Sequence, residues 1–200
     1  DATHEEALVF ANHPKDEAAG SRGVPFSREL WIEREDFAEV PPPGFKRLTV
    51  GFEVRLRGAG IIRCDEAIKD ADGRVVELHG TLDPESRPGM EGANRKVKGT
   101  IHWVSATHGV PAEIRLYDRL FTVADPDNDE GGKTYVDYLN PDSRKVVTGY
   151  VEPAAAQAAN EQGFQFERLG YFVADRYDHK ADAPVFNRSV TLRDTWAGKA

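Results

Sequence analysis

The stretch Phe45-Lys46-Arg47-Leu48-Thr49-Val50-Gly51-Phe52-Glu53-Val54-Arg55-Leu56-Arg57 carries the pattern on which the fold turns. Side chains alternate across a strand, so Leu48, Val50, Phe52, Val54 and Leu56 fall on one face and Arg47, Glu53, Arg55 and Arg57 on the other. The apolar row predicts packing on a core and the cationic row a face in water, with Gly51 a point where the run can break in two. A solvated edge strand, charged to deter aggregation, is the plain alternative. Similar alternation between Gly, Pro, Asn and Asp clusters predicts strands over residues 28–34, 47–57, 61–68, 74–81, 97–105, 112–116, 146–151, 165–173 and 184–192. The chain therefore reads as mainly β. Its clearest hairpin joins 61–68 to 74–81 through Asp72-Gly73, and its best helix is 153–161, rich in alanine behind Pro153.

Four segments read as loops: the first 25 residues, Pro41-Pro42-Pro43-Gly44, Asp83–Asn94 and Asp125–Gly132. A triple proline is stiff and donates nothing to a sheet, which marks a joint between modules. With a second composition shift near Arg119–Asp127, residues 44–118 are expected to form an inserted β-barrel, and residues 1–43 plus 119–200 another. No internal repeat at a fixed period is visible.

Two hundred residues suffice for one generous domain or two small ones. A mean hydropathy of -0.56 and the short apolar runs fit a soluble protein without a membrane span, and Asp1-Ala2-Thr3-His4 has no signal-peptide character. One cysteine, Cys64, cannot form an internal disulfide and suits a reducing compartment such as the cytoplasm. The net charge of -8 argues against a nucleic-acid partner unless cations are gathered locally. They are: between Gly44 and Arg63 the cations Lys46, Arg47, Arg55, Arg57 and Arg63 face Glu53 alone, and Arg95, Lys96 and Lys98 form a second cluster.

Catalytic and metal motifs are weak. Asp125-Pro126-Asp127-Asn128-Asp129-Glu130-Gly131 begins like a calcium loop, but its glycine falls one place late and Val136 stands where a bidentate glutamate is needed. The six histidines show no zinc spacing, and the sequence has no phosphate-binding glycine loop, nucleophile elbow or Cys/His pair. His102 reads as structural, and His179, amid Asp175, Asp178 and Asp182, as part of a polar turn rather than a proton-transfer site. Phe164-Gln165-Phe166-Glu167-Arg168 is more suggestive, since an amide, a carboxylate and a guanidinium between rings can read the edge of an unstacked base while a ring covers its face. A cross-strand ion pair is the bland account of Glu167 and Arg168.

At these residues the chain resembles the C-terminal anticodon-binding region of the glutaminyl-tRNA synthetases. The resemblance runs through residues 20–27, Leu30-Trp31-Ile32-Glu33-Arg34, Phe45-Lys46-Arg47-Leu48, Glu53-Val54-Arg55-Leu56-Arg57, residues 97–106 and 113–121, Phe164-Gln165-Phe166-Glu167-Arg168, Pro184-Val185-Phe186-Asn187-Arg188 and residues 192–196. It leaves out the first dozen residues and the loops near Asp83 and Asp125. It implies two β-barrels of a ribosomal-protein type, with short helices, that grip the splayed anticodon loop of glutamine tRNA. It also implies an upstream catalytic domain in the same polypeptide, absent here, which joins glutamine to tRNA with ATP and Mg²⁺ through an aminoacyl-adenylate in a monomeric, cytoplasmic enzyme. On this view the chain has no cofactor and no catalytic residue of its own.

Residue by residue, the resemblance assigns Lys46 and Arg47 to the third anticodon base, a guanine whose O6 and N7 suit an arginine fork. It assigns Arg55 and Arg57 to the first base, Gln165 and Arg168 to the middle uracil, and Glu167 to orienting that pocket. Another arginine used for the uracil lies upstream of this chain. Lys15, in a segment resembling one beside the anticodon, stands where an asparagine is expected, and Pro41-Pro42-Pro43-Gly44 replaces a more polar stretch. Two other readings stay open: an archaeal- or eukaryotic-type glutamyl-tRNA synthetase, against which Gln165 and residues 164–172 argue, and a ribosomal-type RNA-binding or purely structural β-module.

Overall fold

The computed structural model describes residues 5–128 and 131–192. Two compact units divide the chain, Asp1–Gly109 and Val110–Ala200. This division differs from the expected one, in which residues 1–43 leave the central segment to join the C-terminal part. The reason lies in the core of the first unit, where Val24, Phe26 and Phe37 are buried in one cluster with Leu48, Val54, Leu56, Ile101 and Trp103. Phe26 meets Trp103 edge to face at 5.0 Å, and Phe10 lies so close over Gly58 that a methyl group there would meet its ring at 2.4 Å. Burying each such side chain is worth roughly 1.5–3 kcal/mol, which outweighs the punctuation supplied by three prolines.

In the first unit β1 (Glu5–Ala11) and β2 (Ser21–Ser27) form an antiparallel pair, so part of the expected N-terminal loop is a hairpin. Period-two burial holds on β1, where Leu8 and Phe10 pack toward the core and Ala7 and Val9 face water. A short strand β3 (Leu30–Trp31) pairs with β8 (Val104–Ser105), and the larger sheet runs β6 (Val75–Asp83), β5 (Gly60–Lys69), β4 (Glu53–Leu56), β7 (Thr100–Ile101). The β5–β6 hairpin is the one expected from Asp72-Gly73. The long run 47–57 is cut as Gly51 allowed: its φ of 81° makes a turn, β4 begins only at Glu53, and Val50 and Phe52 are exposed while Leu48, Val54 and Leu56 are buried.

The second unit is built on one sheet, in the order β10 (Arg144–Val151), β9 (Val110–Tyr117), β13 (Val185–Val190), β12 (Gly170–Ala174), β11 (Gly163–Phe166). Its core gathers Ala112, Ile114, Val151, Ala155, Ala156, Phe172, Ala174 and Phe186, and Phe166 stacks on Phe172 at 4.5 Å. The expected helix is a single turn, α1 (Pro153–Ala156). The expected strand 165–173 is instead the two strands β11 and β12 with a turn at 167–169. The fold is mainly β, and its sheets, as hydrogen-bonded among the described residues, run as open orders.

One backbone form occurs twice, although sequence shows no repeat. Gly51, Gly58 and Gly60 have φ of 81°, 66° and 145°; 110 residues later Glu161, Arg168 and Gly170 have 67°, 66° and 148°. Gly51 N–H donates to Cys64 and Cys64 N–H to Phe52, as Glu161 N–H does to Ala174 and Ala174 N–H to Gln162. Strand pairing keeps step as well, Leu56 with Gly60 and Phe166 with Gly170. Gly60 and Gly170 are the one identity between residues 49–64 and 159–174, so the repeat lives in backbone hydrogen bonds and dihedrals that a side-chain pattern does not report.

Candidate nucleic-acid interface

In the first unit, the segment before β4 carries Lys46 and Arg47. A turn at Pro42–Phe45, closed by Phe45 N–H to the Pro42 carbonyl at 3.1 Å, delivers the chain to Lys46, which is exposed. Gly99 lies directly against the Lys46 carbonyl, and the Gly99 carbonyl in turn accepts Arg55 N–H at 2.9 Å. The Arg47 side chain is 40% exposed, yet its Nε lies 3.2 Å from Oδ1 of the buried Asp36, and its Nη1 donates to the Glu35 carbonyl at 3.3 Å. One edge of the guanidinium is thus held while the side chain stays half in water.

Arg55 is half-buried rather than fully outward: Nη1 donates to the Ser86 carbonyl at 3.3 Å and Nη2 to the Arg95 carbonyl at 2.8 Å. It stands at the wall of an open groove of about 470 Å³ shared with Gly58, Gly60, Pro88, Met90 and Asn94. The segment 83–94, read from sequence as a plain loop, carries two 3-10 turns, and its residues 88–90, 93 and 94 line that groove. Arg57 is exposed at the turn after β4, and its carbonyl accepts the Trp103 indole N–H at 2.9 Å.

Counting cations within the sequence window overstates the local field, because the structure brings acids to them. Arg95 bridges Glu53 at 2.6 Å and Asp83 at 2.8 Å, and that guanidinium holds the Glu53 carboxyl below its ordinary range. Arg63 pairs with Asp65 at 2.7 Å, and Asp65 is held low by the Thr81 hydroxyl first and by Arg63 second. Lys98 stays exposed over the Phe52 ring at 5.3 Å.

In the second unit Gln165 is exposed on β11, while Glu167 and Arg168 occupy the turn and are half-buried. The flanking Phe164 and Phe166 do not offer stacking faces: both point into the aromatic core with Phe172 and Phe186. Gln165 instead pairs across the hairpin with Tyr171, whose side chain shares its face and is 48% exposed. Tyr171 is thus the ring that reading Phe164 and Phe166 as stackers overlooks; counting a three-residue turn at 167–169 finds it. Arg168 has φ 66°, a left-handed conformation that costs a side chain roughly 1–2 kcal/mol and that glycine occupies at the equivalent Gly58. By the same repeat, Gln165 occupies the position of Arg55.

The two places differ in cover. Ile61, the partner of Arg55, is 0% exposed and its N–H donates to Ser86 Oγ at 2.7 Å beneath the 83–94 segment, whereas Tyr171 lies open. Elsewhere on the second unit Arg115 contacts Glu113, Asp175 and Asp178, and Asp175 also accepts from Asn187 Nδ2 at 2.7 Å. His179 leaves that acidic group: it is buried, takes the Val185 N–H on Nδ1 at 3.2 Å and sets its ring against Phe186. Asp129 and Glu130 of the calcium-like stretch lie outside the described residues, as do residues 193–196. Among the described residues no group of three His, Cys, Asp or Glu side chains converges to hold a metal, and no helix is long and apolar enough to cross a membrane.

Two family models, both for the anti-codon binding domain of class I tRNA synthetases (E and Q), match residues 1–83 and 100–175. The chain is 75% identical over 194 residues to a glutamine-tRNA ligase of Xanthomonas euvesicatoria pv. vesicatoria, covering 97% of this chain and 34% of that protein. It is 72% identical over 193 residues to one of Xylella fastidiosa, covering 96% and 33%. The chain spans about a third of the length of these relatives.

Proposed function

The chain belongs to the family of anticodon-binding domains of class I tRNA synthetases (E and Q), and from that premise we propose that it reads the anticodon of glutamine tRNA within a larger glutamine-tRNA ligase. The observation that carries the proposal is the doubled hairpin. It sets a hydrogen-bonding side chain, Arg55 in one unit and Gln165 in the other, at the same backbone position beside the same left-handed turn.

Arg47, with Lys46 beside it, reads the third base, where a guanine accepts two parallel N–H donors. Arg55 and Arg57 serve the first base at the groove lined by residues 88–94. Gln165 offers both an amide donor and an acceptor to the middle uracil, Arg168 and Glu167 complete that pocket, and Tyr171 supplies the stacking ring. The partner chemistry is a single-stranded loop with splayed bases, which a protein of net charge -8 binds through local contacts rather than overall attraction. In the whole enzyme, a monomer in this reading, ATP and Mg²⁺ would act in the catalytic domain, which forms the aminoacyl-tRNA, and this chain would contribute selection. The 72–75% identity to glutamine-tRNA ligases supports the glutamine reading over the glutamate one and over a ribosomal-type module.

The test is a titration with glutamine tRNA and with the same tRNA carrying single anticodon changes, at one stated salt concentration. Arg47→Ala should cost about 1–3 kcal/mol and relax choice at the third base, whereas Lys98→Gln should weaken all variants evenly and shallow the salt dependence. Affinity indifferent to every anticodon change would sink the proposal.

A further inference from the structure

Arg47 differs from Arg95 and Arg115 in what its pairing leaves open, and from Arg63, whose Nε partner Asp65 is 34% exposed, in the burial of the acid that holds it. Arg95 spends both terminal nitrogens on Glu53 and Asp83, and Arg115 spends all three nitrogens on Glu113, Asp175 and Asp178. Arg47 sets Nε in an ion pair 3.2 Å from Asp36 Oδ1 and donates from Nη1 to the Glu35 carbonyl, while the side chain remains 40% exposed. Its partner is the opposite: Asp36 is 0% exposed. A carboxylate removed from water is costly unless cations and donors surround it, which favours a guanidinium kept beside it.

The backbone around the pair is fixed as well. Asp36 ends a 3-10 turn (Arg34–Asp36), its carbonyl accepts Leu48 N–H at 2.9 Å, and Ala38 N–H donates to the Leu48 carbonyl at 3.1 Å. Phe37 and Leu48, the neighbours of Asp36 and Arg47, form a parallel bridge and are both buried in the core.

We propose that Asp36 is the positioning residue of Arg47: its buried carboxylate, 3.2 Å from Nε, holds the guanidinium so that Nη2 and the second N–H of Nη1 are left to donate to a guanine. This rests on the anticodon-reading function proposed above. A planar guanidinium has five N–H donors in fixed directions, so fixing one edge aims the others. An exposed arginine surrenders rotamer freedom when it is immobilised, and a side chain already held does not lose it again on binding. Asp36 therefore raises discrimination at one base without touching RNA.

The experiment compares anticodon stem-loops carrying guanine or adenine at the third position, and single changes at the other two, on the wild-type chain, Asp36→Asn, Arg47→Ala and the double variant. Asp36→Asn should bring the third-base preference to within about twofold of that of Arg47→Ala and leave the preferences at the other two bases within about twofold of wild type; the double variant should lose nothing more. An Asp36→Asn variant that keeps the third-base preference, or that loses all three preferences alike, overturns the inference. Should that variant not fold, the wild-type chain still decides: the Arg47 Nε–H, assigned by its loss in Arg47→Lys, should exchange more slowly than that of Arg74, whose side chain is 77% exposed. Equal exchange overturns the inference. A wild-type chain with no third-base preference overturns the anticodon-reading proposal and this inference with it, whereas a wild-type preference that survives Asp36→Asn overturns this inference alone.

Discussion

Replacing Gly99 by alanine should disturb Lys46 and Arg47 without altering a single charge. A methyl group built on Gly99 falls 1.7 Å from the Lys46 carbonyl oxygen and 2.9 Å from its carbonyl carbon, against the 3.4–4 Å of ordinary contact. At least roughly 1.5 Å must open between the two backbones, because packed atoms attract only near 3.5–4 Å and repel steeply inside it. Gly99 cannot retreat freely, since its carbonyl holds Arg55 N–H at 2.9 Å and β7 begins at the next residue. The 45–47 segment must yield instead, and a shift of that size exceeds what the 3.2 Å contact between Arg47 Nε and Asp36 can absorb. Overpacking of this kind costs about 1–3 kcal/mol in stability. The third-base preference should fall by a similar amount, a factor of about 5–150, as it would if the arginine fork were lost. Urea denaturation reads the first quantity and anisotropy titration with third-base variants the second. Gly23→Ala is the control, for its added methyl meets nothing within 4 Å. A Gly99→Ala chain with unchanged stability and unchanged third-base preference would refute the reasoning.

Arg168→Gly should separate stability from recognition: it relieves a left-handed arginine, so unfolding free energy should stay within about 1 kcal/mol of wild type, while preference for the middle uracil falls in stem-loop titrations. Tyr171→Ala should weaken every stem-loop by about 1–3 kcal/mol without regard to the middle base, because stacking tolerates any base, and a change confined to one base would contradict that role. Asp175 is held down to about 2, first by Asn187 and then by the backbone N–H groups of Asp178 and Tyr177. A carboxyl lowered in the folded state stabilises above its unfolded pKa of 3.8 and loses that contribution as pH falls through about 2. Asp175→Asn should therefore lower stability on the order of 1–2 kcal/mol at pH 7 and flatten the fall in melting temperature between about pH 4 and 2, and an unflattened profile would count against it.

Sequence alone settled part of the faces, with Val50 and Phe52 left exposed by the turn at Gly51. Leu48, Val54 and Leu56 are buried and the Asp72-Gly73 hairpin forms, because period-two patterning and turn chemistry are local properties written residue by residue, while the anticodon reading came from the family resemblance of the motifs. Elements that depend on distant partners were not legible. The β1–β2 hairpin is joined by the polar, proline-bearing stretch 12–20 and forms because Leu8, Phe10, Val24 and Phe26 find the Trp103 core, which also draws residues 1–43 into the first unit. Phe164 and Phe166 gave no sign of their direction until β12 and β13 brought Phe172 and Phe186 beneath them. The Ser86 carbonyl, Asp65 and Asp83, which pair with Arg55, Arg63 and Arg95 in turn, all lie outside residues 44–63. Asp36 lies eleven residues from Arg47 with nothing in the intervening sequence to connect them. Only the folded chain decides which acid is buried and which guanidinium it holds, because desolvation is a property of the whole surrounding structure and not of the residue.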